Sequence, residues 1–126
     1  MAYVFFNNNP KNLRVGDCAI RAISKATGQE WSDAYIGLCS EGLVFKDMPS
    51  SNYVWGMYLK KYGFEEHMIA SVCPQCITVE EFAKTHPKGR YVLATQNHVV
   101  AVINGDYFDT WDSGNEIVLY FYKKEI

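Results

Sequence analysis

Cys18 is the residue whose position most favours chemistry. It stands after Asp17, at or beside the first position of a helix that Gly28 is predicted to end. The first amides of a helix are unpaired and partly positive, so a thiol there ionises more easily and its thiolate is the nucleophile. Asp17 could cap the helix, but its charge would oppose thiolate formation if close. Cys18 is therefore a candidate nucleophile, although a cysteine at a helix start is often only a packing residue.

A histidine and an aspartate near the other end of the chain are the candidate partners of this thiol. Asn104-Gly105 favours a two-residue turn between two strands. Continuing the register of that hairpin places His98 and Asp109 on one face of the sheet as diagonal neighbours. A carboxylate there can hold the imidazole in one tautomer and one orientation. The sequence therefore predicts a catalytic Cys–His–Asp triad, in which Asp109 orients His98.

Two residues that follow Asp109 belong to the same prediction. Trp111 faces His98 in this register, so it is expected to shield the His–Asp pair from water as a pocket wall. Asp112 points to the opposite face. A β-bulge would shift the pairing by one residue and bring Asp112 to His98 instead. Asp112 is thus the alternative orienting residue.

The composition indicates one compact domain spanning residues 1–126. Hydrophobic residues make up 48% and charged residues 21%, which suits a chain with a core. The net charge of −2 argues against a nucleic-acid-binding surface. No apolar run is long enough to cross a membrane, and the first residues do not resemble a signal peptide. We therefore expect a cytoplasmic protein whose four cysteines are mostly reduced.

Three further helices are predicted after the first, whose apolar face is formed by Ala19, Ile20, Ala22, Ile23 and Ala26. The second is predicted to have its cap at Ser32 and its end at Gly42. Gly56, inside the third, suggests a close approach by another element. The third is expected over about residues 52–62 and the fourth over about residues 79–85, the latter begun by a Thr78–Glu81 capping box.

Strand patterns dominate the rest of the chain. "YVFF" near the start predicts one short strand, and "RYVLAT", "HVVAVI", "DYFDTW" and "EIVLYFY" predict an antiparallel meander. Helices first and strands later are typical of the α+β class. The expected architecture is an N-terminal helical half packed on a C-terminal antiparallel β-sheet.

A second cysteine motif, Cys73-Pro-Gln-Cys76, offers rival interpretations. A structural zinc site needs four ligands, and the sequence has no second CxxC. A thioredoxin-type redox pair would open a helix in a βαβ unit, whereas this motif precedes Thr78, which already caps the next helix. Packing in a loop is favoured, and the metal and redox interpretations stay open.

The order of the candidate residues resembles the papain-like superfamily of cysteine peptidases, in which Cys opens a helix and His and Asn or Asp come from the sheet. Asp17-Cys18 is similar to the start of peptidase domains that process bacteriocin leaders. Those domains carry an oxyanion-hole amide, usually Gln, six residues before the Cys, where this chain has Asn12. They also carry Gly directly after the Cys, where this chain has Ala19. The stretches "RVGDCAIRAISKATG", "HPKGRYVLAT" and "HVVAVINGDYFDTWDSG" are similar to small proteins of Gram-positive bacteria and their phages, a resemblance that supplies no function.

The papain-like resemblance implies acyl transfer without a metal or cofactor. Cys18 would attack a carbonyl carbon of a peptide or protein, His98 would move the proton, and Asn12 with the Cys18 amide would hold the oxyanion. Peptide hydrolysis, deamidation and other acyl transfers are all open, as is the oligomeric state. The alternative is an inactive papain-like module that binds a host protein. Either protein would act in the cytoplasm of a bacterial or phage-infected cell.

Overall fold

The computed structural model describes residues 3–124, in which four helices and six strands form a mixed α/β fold. The helices are α1 (Cys18–Thr27), α2 (Trp31–Phe45), α3 (Asn52–Lys61) and α4 (Val79–Thr85). The strands are β1 (Tyr3–Phe5), β2 (Glu65–Met68), β3 (Arg90–Ala94), β4 (Val99–Ile103), β5 (Asp106–Asp109) and β6 (Tyr120–Lys124). None of the helices within the described residues has the length and apolar character needed to cross a membrane.

The six strands form one sheet in the order β1-β5-β4-β3-β6-β2. Strands β3, β4 and β5 make the predicted antiparallel hairpins, and the pairing of Ile103 with Asp106 confirms the register across Asn104-Gly105. The predicted antiparallel sheet is instead mixed, because β1 runs parallel to β5 and covers its outer edge. The meander is also wrong at its last step, since β6 pairs with β3 rather than β5.

The sheet carries a buried apolar layer on each face, because successive side chains of a strand point to opposite sides. On one face, Val92 and Ala94 of β3 pack with helices α1 to α3. On the other face, Tyr91 and Leu93 pack with α4. The buried residues of α1 include Ala19, Ala22, Ile23 and Ala26, which confirms most of the predicted apolar face. Helix α1 lies against β4 and is thereby fixed relative to the sheet.

The ends of α1 and α4 agree with the sequence. Helix α1 begins at Cys18 and is closed by Gly28, which adopts the left-handed conformation at φ 79°. The Thr78–Glu81 capping box begins α4, with the Glu81 amide donating to the Thr78 hydroxyl at 3.1 Å and the Thr78 amide donating to the Glu81 carboxylate at 2.8 Å. These ends were predictable because each depends on a few adjacent residues.

Both predicted ends of α2 are wrong. The N-cap residue is Glu30 rather than Ser32, and the helix runs past Gly42 to Phe45. A Cβ at Gly42 would lie 2.6 Å from the backbone oxygen of Asp47, so this glycine allows the following loop to approach the helix closely. Tertiary packing at Gly42 therefore outweighs its tendency to end a helix.

Gly56 in α3 has the close neighbour that its position predicted, and replacing it should be costly. A Cβ there would overlap the hydroxyl of Tyr122, whose ring is buried and packs edge-on against Trp55 with centroids 5.4 Å apart. We expect Gly56→Ala to lower the free energy of unfolding by about 1–3 kcal/mol, as overpacking does in other cores. Urea denaturation would measure this. Gly16→Ala is the matched control, since no atom lies within 4 Å of its added methyl, and equal stability losses in the two variants would contradict the prediction.

The expectation that the four cysteines are mostly reduced holds for two of them and fails for one pair. Cys73 and Cys76 form a disulfide in the exposed loop between β2 and α4, where the chain turns and brings their Cα atoms to 4.5 Å. Cys18 and Cys39 are free thiols. Within residues 3–124, no group of three or more His, Cys, Asp or Glu side chains is arranged to hold a metal ion.

Candidate active site

Cys18, His98 and Asp109 meet at one end of the sheet. Cys18 is the first residue of α1, His98 directly precedes β4, and Asp109 is the last residue of β5. Because β4 and β5 are antiparallel, the start of one lies beside the end of the other. The turn before β4 holds the backbone of His98, since the Thr95 amide donates to its carbonyl at 2.9 Å. Packing of α1 on β4 then brings the start of the helix to the same place.

The imidazole of His98 lies between the thiol and the carboxylate. Its Nε2 is 2.5 Å from Oδ2 of Asp109. The same ring also interacts with the Cys18 thiol, and Nδ1 is the ring nitrogen that Asp109 does not engage. The predicted contact between His98 and Asp109 is therefore present.

The electrostatics of the three groups favour a thiolate paired with an imidazolium. Burial raises the pKa of the Cys18 thiol, but the hydrogen bond and charge of His98, with the Val99 amide and Arg21, hold that pKa below its ordinary value. Burial lowers the pKa of His98, but its hydrogen bonds to Asp109 and Cys18 raise it to about 9. The two shifts are opposite in sign, and both favour the thiolate–imidazolium pair over the neutral pair.

The carboxylate of Asp109 is fully buried and receives four hydrogen bonds. Arg21 Nη2 and the Thr110 amide donate to Oδ1 at 2.9 and 2.8 Å, while the Ser113 hydroxyl donates to Oδ2 at 2.6 Å beside His98. Burial raises the pKa of Asp109, but the hydrogen bonds from His98 and Ser113, with the charge of His98 and the Thr110 amide, hold it below its ordinary value. Asp109 is thus an ionised and fully hydrogen-bonded partner for His98.

Asp17 does not cap α1, although its position suggested that it could. Its side chain makes no capping hydrogen bond to α1 and forms a buried salt bridge with Arg21 instead. The indole N–H of Trp31 donates to its other oxygen at 2.8 Å. The four-residue spacing of Asp17 and Arg21 on a helix was a visible signal for this pair. The second carboxylate on Arg21, that of Asp109, lies 88 residues away in sequence and left no local signal.

Trp111 and Asp112 take different positions around the site. The indole of Trp111 packs against the imidazole of His98, with ring centroids 4.9 Å apart, and it is 45% exposed on its other side. Asp112 does not contact His98, because its Oδ1 accepts hydrogen bonds from the Tyr107 hydroxyl at 2.5 Å and from the Gly114 amide at 3.0 Å. Asp109 is thus the carboxylate that holds His98, and the alternative based on Asp112 does not apply.

Asn12 lies in the exposed loop before α1, in the left-handed conformation at φ 57°. Its backbone amide donates to the carbonyl of Asn9 at 2.9 Å, which closes a turn. Asn8 fastens the same loop to the helix, because its side-chain amide donates to the Ser24 hydroxyl at 2.7 Å. The structure thus places Asn12 in a loop anchored to the helix that begins with Cys18, and its assignment to an oxyanion hole stays a prediction.

These observations define a mixed α/β protein with a Cys–His–Asp cluster at the end of its sheet. Searches of protein-family models, curated proteins and solved structures found no match to the chain. Function must therefore be argued from the geometry and chemistry of the cluster itself.

Proposed function

We propose that the protein is a papain-like thiol hydrolase or acyltransferase that acts on peptide or protein substrates through Cys18, His98 and Asp109. The observation that carries the proposal is the position of His98, whose Nε2 meets the Asp109 carboxylate at 2.5 Å and whose ring also interacts with the Cys18 thiol. A thiol activated by a base that a third group orients is the arrangement that covalent catalysis requires. The beginning of a helix at Cys18, packed against the sheet that supplies His98 and Asp109, further supports the papain-like resemblance.

The reaction begins with attack of the Cys18 thiolate on a carbonyl carbon. As the carbon–sulfur bond forms and the bond to the leaving group breaks, His98 gives its Nδ1 proton to the leaving amine. Water or another nucleophile then attacks the thioester, His98 takes its proton, and breaking of the carbon–sulfur bond restores the thiolate. Asp109 stays ionised throughout and stabilises the imidazolium.

The tetrahedral intermediate of this reaction needs hydrogen-bond donors for its oxyanion. The Cys18 backbone amide is one candidate, because the first amides of a helix have no partner within it. The side chain of Asn12 is the other, as the papain-like resemblance implies. Loss of one such donor typically costs about 2.7–4 kcal/mol of transition-state stabilisation.

An acylation assay with p-nitrophenyl acetate tests the proposal without knowledge of the natural substrate. We expect a rapid release of nitrophenol equal to the amount of protein, accompanied by an acetyl thioester that mass spectrometry locates on Cys18. Cys18→Ser should abolish the burst, and His98→Ala should slow it by two to four orders of magnitude, roughly the contribution of general acid–base catalysis. Cys39→Ser removes the other free thiol and is the matched control, which should leave the burst unchanged.

Acylation of Cys18 at no more than the rate of Cys39, with no effect of His98→Ala, would contradict the proposal and favour an inactive binding module. A persistent acetyl group with no turnover would locate the defect in deacylation. That result would favour transfer to a specific acceptor other than water.

A further inference from the structure

We infer that Arg21 is a positioning residue of this site, which fixes the plane of the Asp109 carboxylate and so aims His98 at Cys18. The inference deepens the proposed function and rests on it. Arg21 is one turn beyond Cys18 on α1, so it joins the helix that carries the nucleophile to the strand that carries the orienting carboxylate.

The division of hydrogen bonds on Asp109 is the first ground for this inference. Arg21 Nη2 and the Thr110 amide occupy Oδ1, at 2.9 and 2.8 Å. Oδ2 remains for His98, which it meets at 2.5 Å, and for the Ser113 hydroxyl, at 2.6 Å. A carboxylate held on one oxygen by a guanidinium cannot rotate without losing a charge-assisted hydrogen bond. The position of Oδ2, and with it the tilt of the imidazole, therefore depends on Arg21.

The second ground is that Arg21 is itself held in place. Its Nη1 forms a salt bridge with Asp17, and Asp17 in turn accepts a hydrogen bond from Trp31 of α2 at 2.8 Å. The side chains of Asp17 and Arg21 are buried, with 3% and 6% of their surfaces exposed. The planar guanidinium, which donates in fixed directions, thus spans two carboxylates as a rigid bridge.

The charged groups that face Arg21 and its partners distinguish positioning from simple neutralisation. Asp17 and Asp109 contact the guanidinium, while His98 contacts Asp109 and Cys18 contacts His98. A lysine at position 21 would keep the positive charge, but its single ammonium could not donate in the two fixed directions of the guanidinium. If geometry is what matters, lysine should restore little of the function that a neutral residue loses.

Alkylation of Cys18 by iodoacetamide, followed across pH by mass spectrometry of the full chain, tests the inference. We expect Arg21→Gln to slow alkylation near pH 6 by about tenfold, which is equivalent to a rise of one unit in the thiol pKa. Arg21→Lys should show most of the same decrease in alkylation rate. Arg90→Gln is the matched control, because Arg90 also anchors on α1, at the Ala26 carbonyl 2.9 Å away, without contacting Asp109.

The proton on Nε2 of His98 supplies a readout of orientation by NMR. Its downfield resonance should be sharp in the wild-type protein and in Arg90→Gln, and it should broaden in Arg21→Gln and Arg21→Lys. If Arg21→Gln does not fold, the double variant Asp17→Asn/Arg21→Gln removes both charges of the salt bridge together and should show the same changes.

Three results would overturn the inference. The first is an unchanged pH profile of Cys18 alkylation in folded Arg21→Gln. The second is a wild-type alkylation rate in Arg21→Lys. The third is a change of the profile in Arg90→Gln as large as that in Arg21→Gln. If His98→Ala, made in the otherwise wild-type protein, left Cys18 alkylation unchanged, the proposed function would be refuted instead. The two failures are thus distinguishable.

Discussion

Replacement of His98 by alanine is expected to slow the alkylation of Cys18 by iodoacetamide about 100-fold near pH 6, because the thiolate would then be a minor species. Burial raises the pKa of the Cys18 thiol, and His98 contributes both the hydrogen bond and the charge that most strongly oppose this effect. Without His98, the Val99 amide and Arg21 would still oppose the effect of burial, but more weakly. Alkylation rates measured by mass spectrometry of the Cys18 peptide at several pH values would give the change in the pKa of the thiol directly.

The direction in which Cys18 alkylation depends on pH follows from the pKa shifts of Cys18 and His98. The pKa of Cys18 is lowered and that of His98 is raised to about 9, so the wild-type thiolate should persist below the range in which free cysteine ionises. Above pH of about 9, loss of the imidazolium should change reactivity a second time, and His98→Ala should lack that step.

Two controls make the alkylation experiment specific. Cys39 is a second free thiol in the same chain, so its peptide reports the general reactivity of each sample. His86→Ala removes a histidine that stacks on Phe82 of α4, with centroids 3.7 Å apart. Equal rates for the wild type and His98→Ala, or an equal decrease in His86→Ala, would show that His98 does not activate the sulfur.

The parts of this site that the sequence predicts are those with local signals. The helical period and Gly28 delimit α1, so Cys18 could be assigned to its start. The Asn104-Gly105 turn sets the register of β4 and β5, and with it the approach of His98 and Asp109. Each signal lies within a few residues of the feature it predicts, as in most helix ends and hairpins.

The parts that the sequence did not predict depend on contacts between distant segments. Arg21 of α1 could be paired with Asp17 by spacing alone. Its contact with Asp109, in contrast, exists only in the folded chain. Strand β6 has the composition of a strand beside either β5 or β3, and only the assembled sheet selects β3. Gly42 has the same ambiguity, because a glycine that ends a helix and one that admits a neighbouring loop look alike in sequence.

The largest stability effect is expected for Asp109→Ala, which should lower the free energy of unfolding by about 3–5 kcal/mol. The reason is that Asp109 is buried among two cations, Arg21 and protonated His98, and its removal leaves both without a partner at this position. Urea denaturation of the two proteins near neutral pH would measure the difference. Asp109→Asn should cost less, since the amide oxygen can still accept one of these hydrogen bonds.

A matched control and the pH dependence separate this buried carboxylate from its exposed neighbour. Asp112→Ala removes an exposed carboxylate from the loop after β5, one that accepts hydrogen bonds from the Tyr107 hydroxyl and the Gly114 amide, and it should cost about 1 kcal/mol. The pKa of Asp109 is lowered on folding, so its stabilisation is present above its ordinary carboxyl pKa and lost as pH falls through the folded value. The gap between wild type and Asp109→Ala should therefore narrow in acid. A gap that is constant with pH, or no larger than that of Asp112→Ala, would mean that Asp109 does not hold this site together through its charge.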